Sequence, residues 1–211
     1  MSASIAELPG KASVAKAKPR RIPDFLVRES FGGTRYFYPD FRAVWNKTKT
    51  LDDVMADSTL QWILKEQIGD IAKAKLDSSR YRLGRGEVGV HLGPNENMGL
   101  DIAIFDRQLL TVEKMGMKYA DVPPLAVVEI DVAVELPERN ANLFEEYVLS
   151  KIQRLMDFGV RRVVWIFSKS RRIFIAEAGR DWYFVSWDRD VELLPGISFN
   201  VQKILKSEGM I

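Results

Sequence analysis

Residues 124–131 read Pro-Leu-Ala-Val-Val-Glu-Ile-Asp, the densest apolar run in the chain, with a carboxylate set into it at Glu129. A continuous apolar run preceded by Pro123-Pro124 predicts a strand buried on both faces, since a half-solvated strand would alternate. Asn142 with Glu145 three residues on marks a helix start and Gly159 its end, which predicts a helix over 143–158. A second apolar strand follows at once over 162–167. Strand, helix and strand in this order form a crossover between parallel neighbours, right-handed by the usual rule.

Upstream, β-rich stretches at 25–28 and 34–38 flank Gly32-Gly33 and predict a hairpin. Ser58 with Gln61 makes a capping box, and Leu60, Ile63, Leu64, Ile68, Ile71 and Leu76 recur at helical spacing, which predicts a helix over 59–76. Short strands at 87–92 and 100–105, separated by Gly93-Pro94 and a turn-like segment, predict a second hairpin. Downstream, strands at 172–177 and 182–187 flank Ala178-Gly179-Arg180-Asp181, and a short helix lies near 201–206. There is no internal repeat. The sum is an α/β fold, a mixed sheet flanked by helices with β-hairpins at both ends.

The 211 residues suit one sizeable domain, expected over 23–211. No cysteine is present, which excludes a disulfide framework, a thiolate metal site and a cysteine nucleophile, and the single His91 excludes multi-histidine metal sites. A net charge of +2 is misleading in bulk. Residues 1–22 hold Lys11, Lys16, Lys18, Arg20 and Arg21 against Glu7, so they carry +4 and the remainder carries −2. That basic segment, rich in Ala, Ser, Lys and Pro, is expected to be disordered and lacks the apolar run of a signal peptide. Apolar runs elsewhere fall far short of the ~18 residues needed to span a bilayer, so the expectation is a soluble, cytoplasmic protein with no membrane partner.

Polar residues in apolar places are the informative ones. Side chains alternate along a strand, so Glu129 and Asp131 are expected on one face, two carboxylates that repel unless a cation lies between them. The bland alternative is that the strand has emerged into solvent and both acids are hydrated. Asp101 opens the apolar run 101–105 in a similar manner, and if its strand pairs beside the one carrying Glu129 the acids converge into an oxygen-rich site for Mg²⁺. Glu87 heads the strand before it, with His91 two steps of two further along on the same face. On the second helix Phe144, Val148, Lys151 and Leu155 share one stripe, so Lys151 interrupts an apolar face. It either snorkels to solvent or turns inward to offset the acids. Trp182 and Trp187 stand five apart, hence on opposite faces, which favours core cover over a base-stacking platform.

The order of these residues resembles the PD-(D/E)XK nuclease superfamily, with its restriction-endonuclease-like core, and within it the Uma endonuclease family. The resemblance runs from about 25 to 205 and rests on Gly-Leu-Asp101-Ile-Ala-Ile, Pro124-Leu-Ala-Val-Val-Glu129, and Lys151 eight residues before Gly159-Val160. It implies Asp101 and Glu129, joined by Asp131, as ligands of Mg²⁺ or Mn²⁺ and Lys151 as the active-site lysine. It further implies hydrolysis of nucleic-acid phosphodiester bonds, with DNA as partner and a homodimer that addresses two strands. Glu66, on the first helix, stands where some superfamily members carry another acid. Three residues depart from the pattern: Asp131 where a lysine is usual, Val132 where Uma proteins carry serine, and Leu155 where they carry tyrosine. Two other functions fit the same residues: a catalytically silent nuclease-fold module that binds nucleic acid or a protein partner, and a metal site that serves stability alone.

Overall fold

A computed structural model of the chain describes residues 21–131, 134–137 and 142–211. The expected basic tail therefore lies almost wholly outside the described residues, as does Val132. In chain order the elements are β1 (Val27–Phe31), β2 (Thr34–Phe37), α1 (Phe41–Trp45), α2 (Asp52–Met55), α3 (Thr59–Lys75), β3 (Tyr81–Gly93), β4 (Glu96–Asp106) and β5 (Ala126–Ile130). A π-helical segment, Phe144–Leu149, then runs straight into α4 (Ser150–Phe158). The chain continues with β6 (Arg162–Phe167), β7 (Arg172–Glu177), β8 (Tyr183–Ser186), β9 (Val191–Leu194), β10 (Ile197–Phe199) and α5 (Val201–Ser207).

Eight strands form one mostly antiparallel sheet in the order β2-β1-β4-β5-β6-β7-β8, with β3 paired to β4, and β9 and β10 make a separate ribbon. Among the described strands β5 and β6 pair in parallel, as the crossover reading requires. Each face of the sheet buries its own apolar cluster. On one side Tyr147, Ile152 and Leu155 pack on Val127, Val163 and Trp165. On the other, Leu64, Ile68 and Ala72 of α3, with Val201 and Leu205 of α5, cover Ile102, Val128 and Ile166. Such wholly buried aliphatic side chains contribute roughly 1.5–3 kcal/mol each, so the two layers fix β5 and β6 as the centre of the molecule.

Local chemistry explains the ends of the helices. Ser58 accepts from the Gln61 backbone while the Gln61 side chain accepts from Ser58, closing the capping box that starts α3. Gly159 ends α4 at φ 114°, a left-handed conformation that a Cβ disfavours.

Four expectations need correction. β5 stops at Ile130, and Asp131 sits at φ 47°, so the alternation that would have put Asp131 beside Glu129 ends one residue too soon. The segment at 143–158 is not α-helical throughout, because its first turn and a half is π-helix. β3 begins at Tyr81, well before 87, since a bulge between Arg85 and Val88 at the left-handed Gly86 lets two strand pieces join. β1 runs to Phe31 rather than ending at Arg28. The ribbon β9–β10 and the short helices α1 and α2 carry too little periodicity to have been read at all.

Candidate active site

β4 pairs with three other strands although a strand has only two edges. β3 lies along nearly the full length of β4, from Tyr81↔Asp106 to Gly93↔Glu96. β1 and β5 must therefore share the other edge: β1 touches it at Ser30↔Asn97, and β5 takes over at Ile102↔Val128. Between those points, residues 98–101 form no ladder pair along that edge. Buried backbone polar groups require partners, so something must fill the gap.

Charged side chains fill it. Asp101 Oδ2 accepts from the Ile130 backbone N–H at 2.7 Å, extending the interrupted β4–β5 ladder. Glu29, from β1, accepts from the Gly99 N–H at 3.3 Å. Lys151 Nζ, from α4, donates to the Gly99 carbonyl at 3.0 Å. Lys151 also meets Glu29 Oε1 at 2.7 Å and Glu129 Oε1 at 3.0 Å. Tyr147, one turn before Lys151, donates to Glu29 Oε2 at 3.0 Å. On the α3 side, Lys65 Nζ lies 2.8 Å from Asp101 Oδ1 and 2.8 Å from Asp57 Oδ2.

All of these groups except Asp57 are removed from water: exposure is 0% for Glu129 and Lys151, 3% for Asp101, and 4% for Glu29 and Lys65. Burial governs their ionisation. It pushes the Glu129 carboxyl up to about 8, with Asp101 and Glu29 adding to the rise and Lys151 opposing it. For Lys151 burial pulls the ammonium down, but Glu129 and Glu29 together outweigh it and hold the group above its ordinary value. Lys65 is raised in the same way, with Asp101 and Asp57 overcoming desolvation. The Lys151 ammonium also sits 5.8 Å from the ring centroids of both Tyr147 and Trp165, where the ring faces favour a cation.

Glu129 is the least satisfied member. Lys151 is close to it but off the hydrogen-bonding direction, and neither carboxylate oxygen has a hydrogen-bond partner among the described residues. The unpartnered oxygens of Glu129 are of the hard kind that Mg²⁺ takes, whereas both oxygens of Asp101 are engaged, by the Ile130 N–H and by Lys65. Among the described residues no three Asp, Glu, His or Cys side chains are grouped to hold an ion. Mg²⁺, however, commonly takes only one or two carboxylates and completes its shell with water and substrate oxygen.

The other expected residues lie elsewhere. Asp131 caps the end of β6, its Oδ1 accepting from the Ser168 N–H at 2.6 Å. Glu66 is exposed on α3 and pairs with Arg85. Glu87 is exposed and pairs with Arg28. His91 is exposed, with Nδ1 2.7 Å from Asn97 Oδ1. Conversely, Glu29, Lys65 and Tyr147 belong to the cluster and were missed. Lys65 carried the same signal as Lys151, a lysine in one stripe with Ile68 and Ala72. Glu29 alternates with Val27 and Phe31, a pattern that only the longer β1 exposes.

An open cleft of about 350 Å³ reaches Glu29 from outside, lined also by Arg28, Ser30, Arg35, Asn97 and Tyr119. Among the described residues no helix is long and apolar enough to cross a membrane.

No family model matches the sequence, and no curated protein matches it. A solved structure does share the fold. It is a protein from Anabaena variabilis, described as "a putative nuclease belonging to DUF820", which superposes with a TM-score of 0.59 over 84% of this chain and 89% of that one, at 11% identity. At that identity the likeness shows the architecture alone: the chain has a nuclease-like α/β fold, a central mostly antiparallel sheet flanked by helices.

Proposed function

We propose that the chain is a divergent, Uma-type member of the PD-(D/E)XK superfamily and hydrolyses phosphodiester bonds in nucleic acid, with DNA as the substrate and Mg²⁺ or Mn²⁺ as the cofactor. The observation that supports this reading is the gap on the β4 edge, where Asp101 closes the β4–β5 ladder and the buried Glu129 on the neighbouring strand faces Lys151, inside a nuclease-like fold.

In this reading Asp101 and Glu129 would hold the ion, which supplies an activated water and neutralises charge on the phosphate. Lys151 holds a positive charge beside Glu129 in a dry, aromatic-walled pocket, where it stabilises negative charge far better than it would in water. Asp101 keeps β4 and β5 in register through Ile130. Lys65 pairs with Asp101 and balances its charge. The nuclease neighbour supports nucleic acid as the partner.

A second reading, a silent nuclease-fold module that binds nucleic acid without cutting it, draws on one observation: both acids already face lysines and are almost wholly enclosed. The two part in one experiment. Supercoiled plasmid, single-stranded DNA and RNA are each incubated with wild type, Asp101→Asn and Glu129→Gln, with Mg²⁺, Mn²⁺ or EDTA. Cleavage by wild type that requires the ion, and falls at least 100-fold in both variants while their melting curves stay cooperative, supports the hydrolase. Binding of the same substrates without cleavage in any ion overturns it in favour of the silent module.

A further inference from the structure

Glu29 has no place in the chemistry described so far, yet it is the most completely bonded carboxylate of the cluster. Oε1 accepts from Lys151 Nζ at 2.7 Å and from Gly99 N–H at 3.3 Å, and Oε2 accepts from Tyr147 O–H at 3.0 Å. An ammonium has three donors. Two of those of Lys151 are committed, to Glu29 and to the Gly99 carbonyl. Toward Glu129 the ammonium has proximity without alignment. Lys151 is thus tied back on the β1 side and leans on Glu129 through charge alone. Glu29 arrives from a different part of the chain, 122 residues before Lys151, so the tie also docks the N-terminal hairpin onto the α4 layer.

We infer that Glu29 is the positioning residue of Lys151: it fixes the direction of the ammonium, so that at 3.0 Å from Glu129 Oε1 no donor is aimed along a hydrogen bond to that carboxylate. The inference rests on the hydrolase reading for its consequence, though not for its geometry. The lysine stem has four rotatable bonds, and in a dry pocket an untied ammonium collapses onto the remaining carboxylate, where a direct hydrogen bond quenches both groups. Tyr147 fixes the second oxygen of Glu29, so the carboxylate cannot rotate to follow the lysine. The π-helical turn assists. It widens the helix just ahead of Lys151, and Tyr147 meets Glu29 from it while Lys151 meets Glu29 from the start of α4.

Glu29→Gln keeps the size of the side chain and removes its charge. In the hydrolase, kcat falls about 10–100-fold, the usual effect of removing a partner that orients an active group, and KM stays within twofold because Glu29 binds no substrate. A purely structural role would lower the melting temperature and leave kcat unchanged well below it, and that result overturns the inference. The second readout needs no activity. A buried, hydrogen-bonded ammonium exchanges its protons slowly enough to give a ¹H–¹⁵N lysine side-chain resonance, assigned to Lys151 by its absence in Lys151→Arg. Glu29→Gln moves or broadens that resonance and leaves the one from Lys65 in place; an unmoved Lys151 resonance overturns the inference. Tyr147→Phe, which keeps the ring and drops one donor, shifts it in the same sense by less and serves if Glu29→Gln fails to fold. If wild type cuts nothing, the hydrolase reading fails, and the resonance still decides whether Glu29 holds Lys151.

Discussion

Replacing Glu129 by glutamine should change how stability depends on pH. The folded protein holds the Glu129 carboxyl at about 8, whereas the unfolded chain releases that proton near the ordinary glutamate value of about 4.3. The folded pKa is raised, so the contribution of this group is fully present below pH ~4.3 and is lost as pH rises toward 8. Over that interval the native state binds one proton more than the unfolded state, and stability falls by about 1.4 kcal/mol per pH unit. Three to four units amount to roughly 5 kcal/mol, an upper figure because Lys151 moves with its partner. For a domain of this size it corresponds to ~10–20 °C in melting temperature. Glutamine cannot ionise, so the variant loses this dependence. Melting wild type and Glu129→Gln by calorimetry at pH 5, 6.5 and 8.5, in EDTA so that no ion holds the carboxylate charged, should give curves that diverge with pH, the variant gaining on wild type by most of that interval. Parallel curves would refute the reasoning, since they would mean that Glu129 titrates alike in both states.

Two further outcomes follow from the same structure. Lys151→Met removes the cation that pairs with the buried Glu29 carboxylate; breaking a buried pair from one side costs about 3–5 kcal/mol, which a fall in melting temperature of ~6–20 °C at pH 7 would register. Gly159→Ala forces a side chain to φ 114° with its Cβ 3.1 Å from Pro123 Cγ, and should cost about 1–3 kcal/mol in urea unfolding with no change in cleavage.

The central strands were legible because β5 and β6 are buried on both faces, and such strands write themselves as uninterrupted apolar runs. Glu129 stood out for the same reason, and Lys151 because a helix stripe has little room for an ammonium. Asp131 misled, since alternation says nothing about where a strand stops: the left-handed turn at Asp131 sends its carboxylate to Ser168. Glu29 stayed hidden for a different reason. Its importance comes from pairing with a residue 122 positions away, a relation that no local periodicity records. The π-helical turn was equally invisible, as its residues have ordinary helical composition and only tertiary contacts select the wider winding.

The interrupted edge of β4 also bears on how the molecule comes apart. Elsewhere the sheet is held by peptide groups, whose bonding is indifferent to pH and weakly sensitive to salt. At residues 98–101 it is held by Glu29, Asp101, Lys151 and Lys65, and the N-terminal hairpin reaches β4 through Ser30↔Asn97 and these side chains. Phe31 and Tyr36 of the hairpin share one apolar cluster with Tyr147 and Trp165, so at this edge of β4 an ionic seam lies beside an apolar joint. Amide hydrogen exchange should report the seam: the Gly99 and Ile130 amides opening together, at a lower free energy than Val127 or Val164, and earlier as pH climbs.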